Sequence, residues 1–177
     1  MAEEALSSRV VYSGHILKLR IDEVRVPDGS LTSREIVEHG NAVAIVAADD
    51  DDNILLVRQY RRAAEKELLE IPAGCVDPGE EPDDTVIREM QEETGYRPNR
   101  IKRLGGFYSA PGFCTEYLHL YLATELTPGR LHAEDTDSIE LVRVPLDEVE
   151  GLIDSGTICD AKSIAGLLFY LKSRIST

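Results

Sequence analysis

The sequence predicts an α/β fold, a mixed β-sheet sandwiched by helices, on three observations. Short apolar runs rich in β-branched residues sit between turn signals along much of the chain. Three stretches beyond residue 80 carry helical periodicity instead. The two kinds do not follow the regular strand–helix–strand order of an all-parallel sheet. The 177 residues suffice for a proper core, and no repeat or flexible linker divides them.

Residues 10–12, 15–26 and 33–38 read as strands, with Pro27, Asp28 and Gly29 as a turn. Residues 41–47 form a short apolar run of buried-strand type, joined through the polar link 49–53 to residues 54–60 as a hairpin. The four aspartates of that link lack the glycine and distal glutamate of an EF-hand loop and read as a solvated turn. Residues 68–73 lead into a loop ending at Glu81. Residues 82–94 read as a helix: Pro82 suits the first helical position, acids crowd the first turn, and Gly95 suits a left-handed cap. Residues 104–108 and 116–124 read as strands around Ala110, Pro111 and Gly112, and residues 140–144 as a short strand. Residues 145–155 and 160–173 read as helices, the second with a core-facing stripe at Ile164, Leu167, Leu168 and Leu171.

Thirty-three acidic against nineteen basic residues give a formal net charge of −14. That balance repels nucleic-acid backbones and anionic membranes, and no apolar run approaches the ~20 residues of a membrane span. Neither partner is expected. Three blocks hold the excess: residues 77–93 carry −7, 49–52 carry −4 and 134–140 carry −4, which leaves the rest of the chain at +1. Cys75, Cys114 and Cys159 are widely spaced and odd in number, and the first residues lack a basic-then-apolar leader pattern. A reduced cytoplasm is the expected location. The four histidines show no ligand or triad spacing, and no Gly-x-Ser-x-Gly element is present.

The chemistry concentrates in residues 74–96, GCVDPGEEPDDTVIREMQEETGY. On a helix turning about 100° per residue, Glu89 and Glu93 lie about 40° apart, with Glu92 about 60° from Glu89 on the other side. Three carboxylates so aligned repel one another unless a cation neutralises them. Oxygen ligands with no cysteine or histidine pair nearby point to Mg²⁺ or Mn²⁺ rather than zinc. Arg88, one turn before Glu92, is placed to hold that carboxylate by an ion pair. The preceding loop can bring backbone carbonyls and Glu80 close, while Val86, Met90 and Thr94 form an adjoining stripe that packs on the sheet. The plain alternative is a solvated acidic helix face.

This stretch resembles the Nudix box, Gly-x5-Glu-x7-Arg-Glu-U-x-Glu-Glu-x-Gly-U with U a bulky apolar residue, and it matches at every fixed position. The resemblance implies a Nudix-type α/β/α sandwich and cleavage of a diphosphate linked to another moiety. It implies metal ligation by Glu89, Glu93 and the Ala73 carbonyl, with Glu92 and Glu80 as further candidates. Residues 1–40 then form a β-rich segment, and residues 41–177 the hydrolase domain. The flanks, Glu70-Ile71-Pro72-Ala73-Gly74 before the box and Pro111-Gly112 sixteen residues after Gly95, look like the ADP-ribose pyrophosphatase branch. Glu116 has a counterpart there, whereas Ala110 stands where the branch usually has serine.

The same resemblance implies that Arg61, ending Val57-Arg58-Gln59-Tyr60-Arg61, reaches the substrate. It implies that Arg34 and Glu35 lie in a strand that clamps adenine, often across a dimer interface. A homodimer is therefore expected. Cys75, beside Gly74, is expected to line the site passively. In related enzymes a loop corresponding to residues 134–140 supplies a catalytic base and a further metal ligand, which match Asp135 and Asp137. Glu134 or a box glutamate are alternatives for the base. The implied reaction is Mg²⁺-dependent hydrolysis of ADP-ribose to AMP and ribose 5-phosphate. Its alternatives are another nucleoside diphosphate sugar such as GDP-mannose, or a nucleotide-sugar sensor without turnover.

Overall fold

A computed structural model describes residues 2–133 and 138–175. Two compact units emerge, Met1–Asn41 with Tyr108–Tyr117, and Ala42–Phe107 with Leu118–Thr177. The first is a three-stranded antiparallel sheet of β1 (Glu4–Ser13), β2 (Leu17–Arg25) and β3 (Leu31–His39), in that order. Between β2 and β3, Gly29 takes φ 88°, and Asp28 accepts hydrogen bonds from the Ser30 amide and hydroxyl. β1 begins six residues earlier than its apolar pattern indicates. All ten of its residues are exposed, so burial periodicity could not mark its start. The segment after Tyr108 pairs with β3: the Val37 amide donates to the Phe113 carbonyl at 2.7 Å, and the Thr115 amide to the Val37 carbonyl at 3.0 Å.

The second unit is a seven-stranded sheet with helices on both faces. Its strands are β4 (Ala42–Ala48), β5 (Asn53–Arg61), β6 (Lys66–Glu70), β7 (Ala73–Cys75), β8 (Tyr96–Tyr108), β9 (Tyr117–Pro128) and β10 (Glu140–Pro145), with α1 (Pro82–Glu89), α2 (Val149–Asp154) and α3 (Ala161–Ile175) as its helices. The strand order is β10-β5-β4-β9-β8, with β6 on β5 and β7 on β4. β4 runs antiparallel to β5 and parallel to β9, so the sheet is mixed. All seven residues of β4 are buried, and they alternate between two cores. Val43, Ile45 and Ala47 join Val86 and Met90; Ala44, Val46 and Ala48 join Ile71, Leu120, Leu167 and Tyr170. The sheet therefore fixes α1 against one face and α3 against the other.

Two helices differ from their sequence pattern. The stretch read as one helix over residues 82–94 is an α-helix only to Glu89, and Met90–Thr94 form a wider π turn closed by Gly95 at φ 78°. On α3 the contact line runs through Ser163, Gly166, Leu167 and Tyr170, while Leu168 is 43% exposed. The cause is Gly166: a Cβ there would lie 2.9 Å from Ile71 Cδ1 and 3.0 Å from Leu120 Cδ1. The helix settles on its smallest residue and so rotates Leu168 outward. Leu167→Ala is expected to lower unfolding free energy by about 2–5 kcal/mol, and Leu168→Ala by about 0.5 kcal/mol or less, both measured by urea denaturation.

Candidate active site

α1 and the π turn carry the acidic stripe, and the inward Val86, Met90 and Thr94, all buried, orient it. Arg88 sits at its centre. Its Nε and Nη2 each lie 3.0 Å from a Glu80 oxygen, and Nη1 donates to Glu89 Oε1 at 2.7 Å and Glu92 Oε2 at 3.1 Å. Nη2 also donates to the Cys75 carbonyl at 3.2 Å, tying β7 to the helix. The Thr85 hydroxyl donates to Glu80 at 2.8 Å. Arg88 hydrogen bonds, reinforced by Thr85 and the Asp77 amide, hold the Glu80 carboxyl down at about 2 despite its partial burial.

Glu93 has the opposite environment. It is 6% exposed, and burial together with the neighbouring Glu89 charge pushes its carboxyl up to about 8. The Ala73 amide, donating to Glu93 Oε2 at 3.1 Å, and the charges of Arg61 and Lys162 oppose that rise. Gly74 makes room for the cluster: a Cβ there would fall 1.9 Å from Glu89 Oε1. Among the described residues no three His, Cys, Asp or Glu side chains already close around one point. The stripe presents carboxylate oxygens that could hold a cation together with other oxygen donors. Crowded carboxylates with only oxygen donors nearby fit a hard divalent cation.

Arg61, at the end of β5, donates to Glu70 through Nε at 3.1 Å to both oxygens and through Nη2 at 2.6 Å. Sequence reasoning missed the other partner of Glu70, Lys162, at 2.8 Å. No local period links positions so far apart, so nothing short of the fold signals the pair. Gln91 was also missed. Its side chain donates to the Gly129 carbonyl at 2.6 Å, and its carbonyl accepts the Leu131 amide at 3.2 Å. Residues 129–131 are thereby tethered to the π turn. Glu134, Asp135 and Asp137 lie outside the described residues.

Within the smaller unit, Arg34, Ile36, Arg20, Glu3, Pro111, Gly112 and Phe113 are among the residues lining a cavity of about 360 Å³. Arg34 pairs with Glu3 at 2.5 Å, and Arg20 with Glu38 at 2.7 Å and Asp22 at 3.2 Å. Arg20 is an addition to the sequence reading, brought beside Arg34 by the register of β2 on β3. Glu35 alternates away from Arg34 and Ile36 and is exposed. Ala110 acts through its carbonyl, which accepts the Phe113 and Cys114 amides at 3.1 and 2.9 Å, and Glu116 Oε1 lies 3.4 Å from His39 Nδ1.

The Glu80–Arg88 pair has a pH signature. Glu80 titrates lower in the folded chain than in the unfolded one. Its contribution to stability is complete above about pH 4.5 and is lost as pH falls toward about 2. Urea unfolding followed from pH 5 down to about pH 2 should show the wild type losing stability more steeply than Glu80→Gln, with the two curves converging at the acid end.

Known proteins resemble this chain in sequence and in fold. The chain matches the NUDIX domain over residues 38–167 and the nucleoside diphosphate sugar hydrolase N-terminal domain over residues 3–37. It is 35% identical to an ADP-ribose pyrophosphatase of Bacillus subtilis over 92% of this chain and 89% of the relative. It is 41% identical to an ADP-ribose pyrophosphatase of Mycobacterium tuberculosis over 93% and 81%. A crystal structure of an ADP compounds hydrolase shares the fold at a TM-score of 0.91 and 22% identity, over 99% of this chain and 96% of that one. With its complete box built into an acidic helix on a mixed sheet, the chain belongs to the Nudix hydrolase family.

Proposed function

We propose that the chain hydrolyses the diphosphate of ADP-ribose to AMP and ribose 5-phosphate with Mg²⁺, Mn²⁺ being a substitute. The observation that carries this reading is the carboxylate stripe Glu89, Glu92 and Glu93, the first two held by Arg88 and the third by the Ala73 amide, beside the space left by Gly74. Nudix hydrolases depend on divalent metals. Glu89, Glu93, Glu92 and the Ala73 carbonyl are the residues to hold one here. When bound, the ion neutralises phosphate oxygens and polarises phosphorus toward attack. Arg88 keeps Glu89 and Glu92 from turning away. Arg61 holds the diphosphate, and Arg34 takes the adenine end. Asp135 or Glu134 deprotonates the attacking water, and Asp137 is a further metal ligand. The reading also makes residues 1–40 a dimerisation and adenine-contact segment, consistent with exposed Val10 and Tyr12 on β1, in a cytoplasmic homodimer. Among the described residues Cys75, Cys114 and Cys159 form no disulfide, and no helix is long and apolar enough to cross a membrane.

Purified protein with Mg²⁺ should convert ADP-ribose to AMP, followed by chromatography of the products, with a higher kcat/KM than for GDP-mannose. Glu93→Gln should lower kcat by about 100-fold or more, because it removes a ligand that acts on the charge developing in the transition state. Tight binding of ADP-ribose with no turnover under either metal would overturn hydrolysis in favour of sensing.

A further inference from the structure

Lys162 lies outside every motif that points to the active site. It is the second residue of α3, and its side chain is only 14% exposed. Its Nζ donates to Glu70 Oε2 at 2.8 Å and to Asp160 Oδ2 at 3.0 Å. Asp160 is itself fixed, accepting the Ser163 amide at 3.1 Å across the first turn of α3. Glu70, whose side chain is 2% exposed, is therefore gripped from two sides by Lys162 and by the Arg61 fork. The adjoining backbone is fastened by the same helix, since the Ser163 hydroxyl accepts the Ile71 amide at 2.9 Å.

A carboxylate held by one partner can swing about its last torsion, and the partner swings with it. A second cation on Oε2 fixes the carboxylate plane, and a planar guanidinium bound through Nε and Nη2 must follow that plane. Among the described residues Arg61 Nη1 makes no hydrogen bond, and the Arg61 side chain is 40% exposed. The inner edge of the guanidinium is thus locked while its outer edge faces solvent, as a group that receives an anion requires. We propose that Lys162 is a positioning residue for the substrate diphosphate, acting through Glu70 to aim Arg61. The inference rests on the reading of Arg61 as a diphosphate ligand.

The test is a double-mutant cycle on the full-length protein with saturating Mg²⁺. KM and kcat are measured for ADP-ribose, with calorimetric Kd for a methylene-bridged, non-hydrolysable analogue. Arg61→Ala should raise KM and Kd about tenfold or more. Lys162→Met should raise both about five- to tenfold with kcat within about threefold, and should add nothing in the Arg61→Ala background. Lys162→Arg, which keeps a cation on Glu70, should restore both to within about threefold of wild type. If Lys162→Met fails to fold by circular dichroism, Lys162→Gln takes its place with the same expected non-additivity. Unchanged KM and Kd in the Lys162 variant, or effects that multiply in the double variant, would overturn the positioning role while leaving Arg61 as a ligand. Unchanged values in Arg61→Ala would overturn the reading of Arg61 itself, and the proposal with it.

Discussion

The acidic face of this enzyme exists because of one guanidinium. Glu80, Glu89 and Glu92 converge on Arg88 within 3.1 Å, and the Cys75 carbonyl accepts from the same group. Without it the helix would bring like charges together in a partly dry site and would lose stability for doing so. A lysine would not serve, because a single ammonium lacks the fixed, in-plane spread of donors that reaches a loop, a strand and two helix positions at once. The loop acid Glu80 takes both Nε and Nη2 and leaves Nη1 for the helix, so Arg88 distributes its donors between structure and site.

A second cation-centred arrangement stands at the other end of the cluster. Arg61 and Lys162 share Glu70, and their charges reach Glu93. The site thus has acids on the helix and basic residues along its β5 and α3 margin. On the proposed reading an anionic substrate meets that margin, which a strongly acidic chain can offer because its negative charge is confined. The three blocks that account for its −14 leave a nearly neutral remainder.

How much of this was legible in the sequence depended on distance along the chain. The grouping of Glu89, Glu92 and Glu93 and the Arg88–Glu92 pair follow from close spacing on one helical segment, so the pattern showed the grouping but not the π turn that orients its last two members. β4 was legible because it is buried on both faces, and its seven apolar residues form an unbroken run. β1 and the outer part of β8 were under-read, since exposed strands carry no burial period. The role of Lys162 was hidden because its partner lies ninety-two positions away. Leu168 was misplaced on α3 because hydrophobicity alone cannot register that Gly166 draws the helix onto Ile71 and Leu120. The π turn was likewise invisible. Every residue in it suits an ordinary α-helix, and its tether, Leu131 to the Gln91 carbonyl, is a tertiary contact.

That turn amounts to one extra residue wound into the helix. Wound instead as a uniform α-helix, the same residues from Pro82 to Gly95 would lose the bulge, and side chains beyond it would turn by about 100°. Glu93 would leave the Ala73 amide and the Gln91 carbonyl would leave Leu131. The most regular helix this segment could form would therefore pull the cluster apart, and the local imperfection is what keeps the stripe in register with strand and loop.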